Sequence, residues 1–148
     1  MKIGWFWKSV LAGLAGTVAP NVLFFLKAKL GILPGFVPYA QLQKALAALT
    51  GADVHPIVPW LLSFVNGSIV LGPLFRVAYP RLPGESGVVK GLCFGLIGWL
   101  IASLVFLPAI GLGAFAASAS LGVWPALMML AMLLIYGMTT GIVYDRLR

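Results

Sequence analysis

The chain has 148 residues, 61% of them hydrophobic and only 9% charged, where a soluble domain carries about a quarter charged residues. That excludes a soluble globule, a disordered chain and a disulfide scaffold, the last also because Cys93 is the single cysteine. Ten basic residues against three acidic ones give a net charge of +7, but they flank apolar runs, so they read as membrane-flanking charges and no nucleic-acid partner is expected.

Four uncharged stretches are long enough to span a bilayer: Ser9–Leu26, Ile57–Phe75, Gly91–Ile110 and Trp124–Tyr144. A helix needs about 20 apolar residues to cross about 30 Å of hydrocarbon. The first stretch is short, but Lys27 and Lys29 can snorkel outward from its end. Lys2 and Lys8 before it, and Gly16-Thr17-Val18-Ala19 within it, loosely imitate a signal peptide. It is read here as a retained first span.

After span one, Gly31, Pro34, Gly35 and Pro38 break the chain. Tyr39–Leu49 then reads as a short helix, with Leu42, Ala45, Leu46 and Leu49 on one face and Gly51 as its stop. Such a helix lies in the outer interface or packs as a lid on the bundle's own loops. Between spans two and three, Pro80, Pro83, Gly84, Glu85 and Ser86 make a solvated turn. Between spans three and four, Gly111–Val123 is uncharged and apolar, which suits a covered surface.

With four spans, one side of the membrane holds Lys2, Lys8, Arg76, Arg81, Lys90, Arg146 and Arg148, and the other Lys27, Lys29 and Lys44. The positive-inside rule puts both termini in the cytoplasm. Trp5, Trp7, Tyr79 and Tyr144 would form the inner aromatic belt, and Trp60 and Trp124 the outer one. Trp99 lies deeper and is expected to pack between helices.

Small residues recur at four-residue spacing: Ala12/Gly16, Ser63/Gly67, Ser68/Gly72, Gly91/Gly95 and Gly137/Gly141. In lipid such residues let helix backbones approach closely. Gly13 and Gly16 match Gly95 and Gly98, and Gly67 and Gly72 roughly match Gly137 and Gly141, as a duplicated two-helix hairpin would. These glycines are the helix-packing candidates.

Chemistry is sparse. Thr17, Asn21, Ser63, Asn66, Ser68, Ser103, Thr139 and Thr140 are the polar span residues. Asn66 stands out because an amide deep in a membrane needs partners. It reads either as an interhelical hydrogen bond or as a ligand contact. The spans hold no ionisable group, which argues against a proton-coupled carrier but not against a passive pore or a lipid-binding protein. His55 alone, with Asp53 nearby, makes a poor metal site. Met128, Met129, Met132 and Met138 could suit Cu(I) but suit adaptable packing better. Cys93 lacks an activating histidine at its depth. No metal and no cofactor is expected; bound lipid is.

Three runs carry a resemblance in the second half: Gly91-Leu-Cys-Phe-Gly-Leu-Ile-Gly-Trp99, Leu107-Pro-Ala-Ile-Gly-Leu-Gly113 and Ile135-Tyr-Gly-Met-Thr-Thr-Gly-Ile-Val-Tyr144. Leu30-Gly-Ile-Leu-Pro-Gly35 and Trp60-Leu-Leu-Ser-Phe-Val-Asn-Gly67 add the first half. The chain resembles an uncharacterised family of small four-helix bacterial membrane proteins, of the domain-of-unknown-function kind. The resemblance implies four helices and supplies no activity. It also implies histidines a few residues before these glycines; the corresponding positions here are Ser63 and Leu133, so a histidine-based site would be lost in this chain.

The expected architecture is therefore an all-α, four-span bundle of one membrane domain in a bacterial inner membrane. The expected role is a non-catalytic accessory subunit packed against membrane lipids and other integral membrane subunits. A small transporter, pore or lipid-binding protein is the alternative.

Overall fold

A computed structural model describes residues 4–31, 38–109 and 124–148. Its regular structure is helical throughout, with no strand among the described residues. Helix α1 is Trp5–Leu30 and α2 is Pro38–Thr50. A rod follows: α3 (Ile57–Val65), a π-helical segment (Asn66–Leu71), α4 (Gly72–Ala78) and a 3-10 turn (Tyr79–Arg81). Helix α5 (Gly87–Ile101) continues through a second π-helical segment (Ala102–Phe106) into a short turn, α6 (Leu107–Ala109). Helix α7 is Trp124–Leu147. The expected loop Gly111–Val123 lies outside the described residues.

Three helices are long and apolar enough to cross a membrane: Ile57–Arg81, Gly87–Val105 and Ala126–Leu147. The chain is thus built as an integral membrane protein. The first expected span falls inside α1, a helix of 26 residues.

Both π segments have a local cause. Pro73 and Pro108 each stand two residues past a π segment. Proline has no N–H to return to the carbonyl four residues back, so the α-ladder breaks there. A wider turn just ahead absorbs the break. Elsewhere the turn chemistry is ordinary. Gly51 ends α2 at φ +68°, a left-handed conformation that favours glycine. Ser86 caps α5, its hydroxyl accepting from the Val89 N–H at 3.3 Å.

Helix α7 packs between α1 and α5, and α1 packs between α7 and the rod. Glycines make these approaches possible. Gly87, Gly91 and Gly95 stand one turn apart and are buried. A Cβ on Gly87 would run into the carbonyl oxygen of Gly141, one on Gly91 into that of Gly137, and one on Gly95 into that of Leu133. The reverse also holds: Gly137 and Gly141 face the carbonyls of Gly91 and Gly87. On the other side of the bundle, Gly13 of α1 lies against Gly67 and Gly72 of the rod, and Gly72 against the Ser9 carbonyl.

At the end that carries the N-terminus, the 79–87 turn and the C-terminus, aromatic rings replace glycines. Phe75 is fully buried, with Tyr79, Phe94 and Tyr144 edge-on to it at centroid distances of 5.6, 5.1 and 5.8 Å. Of the rings expected at the inner interface, Trp5 and Trp7 are well exposed, whereas Tyr79 and Tyr144 are only 5% and 8% exposed and pack into the core. The reason is Asp145. Its carboxylate accepts from the Tyr79 hydroxyl at 2.6 Å and from the Gly87 N–H at 3.1 Å, so it caps α5 from α7 and draws Tyr79 inward. Lys90 donates to the Tyr79 carbonyl at 2.8 Å and sits 4.2 Å from that ring.

At the far end, the Trp99 indole donates to the Ala126 carbonyl at 2.9 Å, bridging α5 and α7. The Gln43 amide donates to the Val54 carbonyl at 2.6 Å, which rests α2 on the loop before α3.

Backbone-to-backbone contact cannot yield to a side chain. Gly137→Leu is expected to cost about 3 kcal/mol or more, the upper end of overpacking penalties. Gly98→Leu is expected to cost nothing measurable, because a Cβ there meets nothing within 4 Å. Thermal melting of the detergent-purified variants checks the contrast.

Candidate functional site

The concave feature nearest mid-depth is a cleft of about 130 Å³ between α1, the rod and α7. Thr17, Asn21, Ser63, Asn66 and Tyr136 bring polar groups to it, and Met132 and Leu133 supply apolar wall. Asn66 lies nine residues into the rod, about 14 Å along a helix that starts at Ile57. That is close to the middle of about 30 Å of hydrocarbon.

Each side chain arrives there for a local reason. Helix α1 carries Pro20 inside it, and two polar residues fold back around that break. The Thr17 hydroxyl donates to the Gly13 carbonyl at 2.9 Å, and the Asn21 amide to the Thr17 carbonyl at 2.8 Å. Tyr136 comes from α7 and is 5% exposed. Its hydroxyl donates to the Gly67 carbonyl, in the π segment, at 2.7 Å. The phenol passes α1 at Gly16, where a Cβ would meet the Thr140 hydroxyl and the Tyr136 ring. Gly67 has the same role on the rod, since a Cβ there would strike the Thr17 hydroxyl.

Asn66 differs from its neighbours. It opens the π segment, is exposed, and its side chain makes no hydrogen bond among the described residues. Its carboxamide offers two N–H donors and an acceptor oxygen. The cleft thus holds amides and hydroxyls, groups that bind by hydrogen bonding and stay uncharged at neutral pH.

The glycine candidates divide by use. Gly13 and Gly67 join α1 to the rod, Gly16 makes room between α1 and α7, and Gly95, Gly137 and Gly141 join α5 to α7. A Cβ on Gly98 would meet no described atom within 4 Å, so this candidate faces none of the described neighbours within the chain. Gly72, named in the small-residue stripe, meets the Ser9 carbonyl. Two residues that sequence reasoning passed over belong with these glycines. Gly87 completes the close contacts. Tyr136 was signalled by its phenol inside an apolar run, because a buried Tyr hydroxyl needs an acceptor.

The remaining candidates have structural employment. The His55 Nδ1 accepts from the Ile57 N–H at 3.2 Å, at the start of α3. Cys93 is half-buried against the aromatic core. Met128 is buried, and Met132 faces the cleft. Among the described residues no group of three His, Cys, Asp or Glu side chains gathers to hold a metal ion. Ser63 and Leu133, the positions where the resemblance implies histidine, both line the cleft.

A family model described as a family of unknown function, DUF6789, matches residues 5–148. No curated protein and no solved structure matches the chain.

Tyr136→Phe removes one interhelical hydrogen bond and leaves the Gly67 carbonyl without this donor. Such bonds in membranes average about 0.6 kcal/mol and reach about 1.7 kcal/mol. A loss within that range is expected in reversible unfolding in mixed micelles, with the helical circular dichroism unchanged.

Proposed function

The chain belongs to the family of unknown function DUF6789, so its role is read from its own residues, and we propose that it is a non-catalytic accessory subunit of a larger membrane complex. One observation carries the reading: Asn66 presents an unbonded, exposed carboxamide at mid-span. An amide left unpaired in hydrocarbon costs several kcal/mol. Something outside the described residues therefore supplies its partner, and in this reading a neighbouring subunit does so at fixed depth.

The glycines do not serve this purpose. Gly13, Gly16, Gly67, Gly72, Gly87, Gly91, Gly95, Gly137 and Gly141 all face neighbours inside the chain. The docking surface is instead the side of the rod around Asn66, where Leu62, Val65, Ile69 and Val70 are also exposed.

In this reading α1 is the fourth span. It packs against α7 and the rod and keeps its basic residues near its ends. Both termini face the cytoplasm, and α2 lies at the outer interface. The host is a bacterial inner-membrane assembly, respiratory or photosynthetic, by analogy with the small helical subunits of such complexes. The cleft favours a second reading, in which a membrane-dissolved molecule with a hydrogen-bonding head meets Asn66 and the protein binds or passes it.

Asn66→Leu separates stability from docking. The isolated protein is expected to melt at an unchanged or higher temperature, since no side-chain bond to a described residue is lost. Under gentle detergent extraction the variant is expected to run free of the large subunits that co-purify with the wild type. If the purified protein alone moved a defined solute into liposomes, and Asn66→Leu abolished the movement, the second reading would replace the first. Orientation is checked by cysteine labelling in a Cys93→Ala background. An impermeant reagent on intact cells is expected to modify Ser118→Cys and spare Ser86→Cys.

A further inference from the structure

The cations at the Tyr79–Asp145 end are not equivalent. Among the described residues the one ion pair joins Arg148 to Asp145, at 3.5 Å. Lys90 is held on Tyr79. Arg81 donates to the Val77 carbonyl of its own helix at 3.3 Å. Arg76 has no such employment. Its guanidinium lies 4.0 Å from the centre of the Trp5 ring, and its N–H groups make no hydrogen bond and meet no carboxylate among the described residues. It is nevertheless half-buried.

We propose that Arg76, steadied on Trp5, is a seat for the phosphate of an anionic phospholipid. Chemistry and depth both point there. A guanidinium presents a rigid fork of N–H donors that matches a phosphate with two parallel hydrogen bonds. The cation–π contact holds the charge in place without using those donors. Arg76 stands 19 residues after Ile57, about 28 Å along a helix. With Ile57 at one boundary of the hydrocarbon, Arg76 is at the other, level with the headgroups. Trp5, which meets it, and Trp7, two residues on, are 57% and 60% exposed, amphipathic rings of the kind that settle at that level. The nearest carboxylates do not compete. Asp145 is taken up by Tyr79, Gly87 and Arg148, and Glu85 is exposed in the turn. The residual positive charge of this end favours a lipid of net negative charge over a zwitterionic one.

The test is native mass spectrometry of the detergent-purified full chain, titrated with dioleoyl-phosphatidylglycerol or dioleoyl-phosphatidylcholine. The wild type is expected to hold one phosphatidylglycerol about tenfold more tightly than phosphatidylcholine. Arg76→Gln is expected to remove that preference. Arg81→Gln, which loses the same charge at an exposed arginine, is expected to keep it. Arg76→Lys keeps the charge but not the fork and is expected to lose most of the preference; it carries the comparison if Arg76→Gln does not fold. Equal losses in Arg76→Gln and Arg81→Gln would mean a diffuse charge effect and overturn the proposal. Displacement of the lipid by millimolar inorganic phosphate would assign the seat to a soluble anion and overturn it as well.

Discussion

Helices in hydrocarbon gain nothing from hiding apolar side chains from one another, because lipid is as apolar as leucine. Cohesion has to come from closeness, and in this chain it comes from the α5–α7 seam. Gly87, Gly91 and Gly95 on one helix and Gly137 and Gly141 on the other bring carbonyl oxygens to where side chains would otherwise stand. With α7 set by that seam, its other face presents Tyr136 and Thr140 to α1, where Gly16 leaves the space they need. Helix α1 in turn meets the rod through Gly13, Gly67 and Gly72. The cleft, the Tyr136 bridge and the heading of Asn66 all depend on this succession of backbone contacts.

Side chains take over at one end only. There Phe75, Tyr79, Phe94 and Tyr144 pack together between the helices, and Asp145 ties α7 to the first turn of α5 and to the end of the rod. An aspartate at a helix N-terminus is favoured by the helix dipole. Here it is delivered by a different helix, so one residue performs capping and tertiary bonding together. The single acidic side chain in the last turns of α7 thereby fixes the relative height of three helices.

Much of this was legible in the sequence, and the limits have physical reasons. Long uncharged runs locate helices because the bilayer demands a fixed apolar length. They do not locate helix ends. The run beginning at Ile57 was expected to stop at Phe75, yet the helix continues to Arg81, because Arg76 finds Trp5 and Tyr79 finds Asp145. Four-residue spacing marks a stripe of small residues but not what approaches it. Gly95 and Gly98 read alike in sequence; one meets the Leu133 carbonyl and the other meets no described residue within 4 Å. The likeness between the halves has the same weakness, since Gly16 admits Tyr136 while its counterpart Gly98 meets none of the described residues within 4 Å. The Tyr136 bridge spans 69 residues, a separation over which no local pattern carries information. The π segments were announced only indirectly, by Gly72-Pro73 and Leu107-Pro108.

A π turn contains one residue more than the α turn it replaces. Each residue advances an α-helix by about 100°, so everything beyond Leu71 is rotated by about that angle from where an uninterrupted helix would carry it. Phe75 and Tyr79 reach the aromatic core, and Arg76 reaches Trp5, in that rotated frame. Winding Asn66–Leu71 as a regular α-ladder with no residue removed would keep every side chain's chemistry, yet it would swing Phe75, Arg76 and Tyr79 about a quarter of a circumference out of alignment with their partners. Removing one residue from the segment would regularise the ladder and leave them in place. The rod works as a key whose teeth were cut after a deliberate twist of the blank.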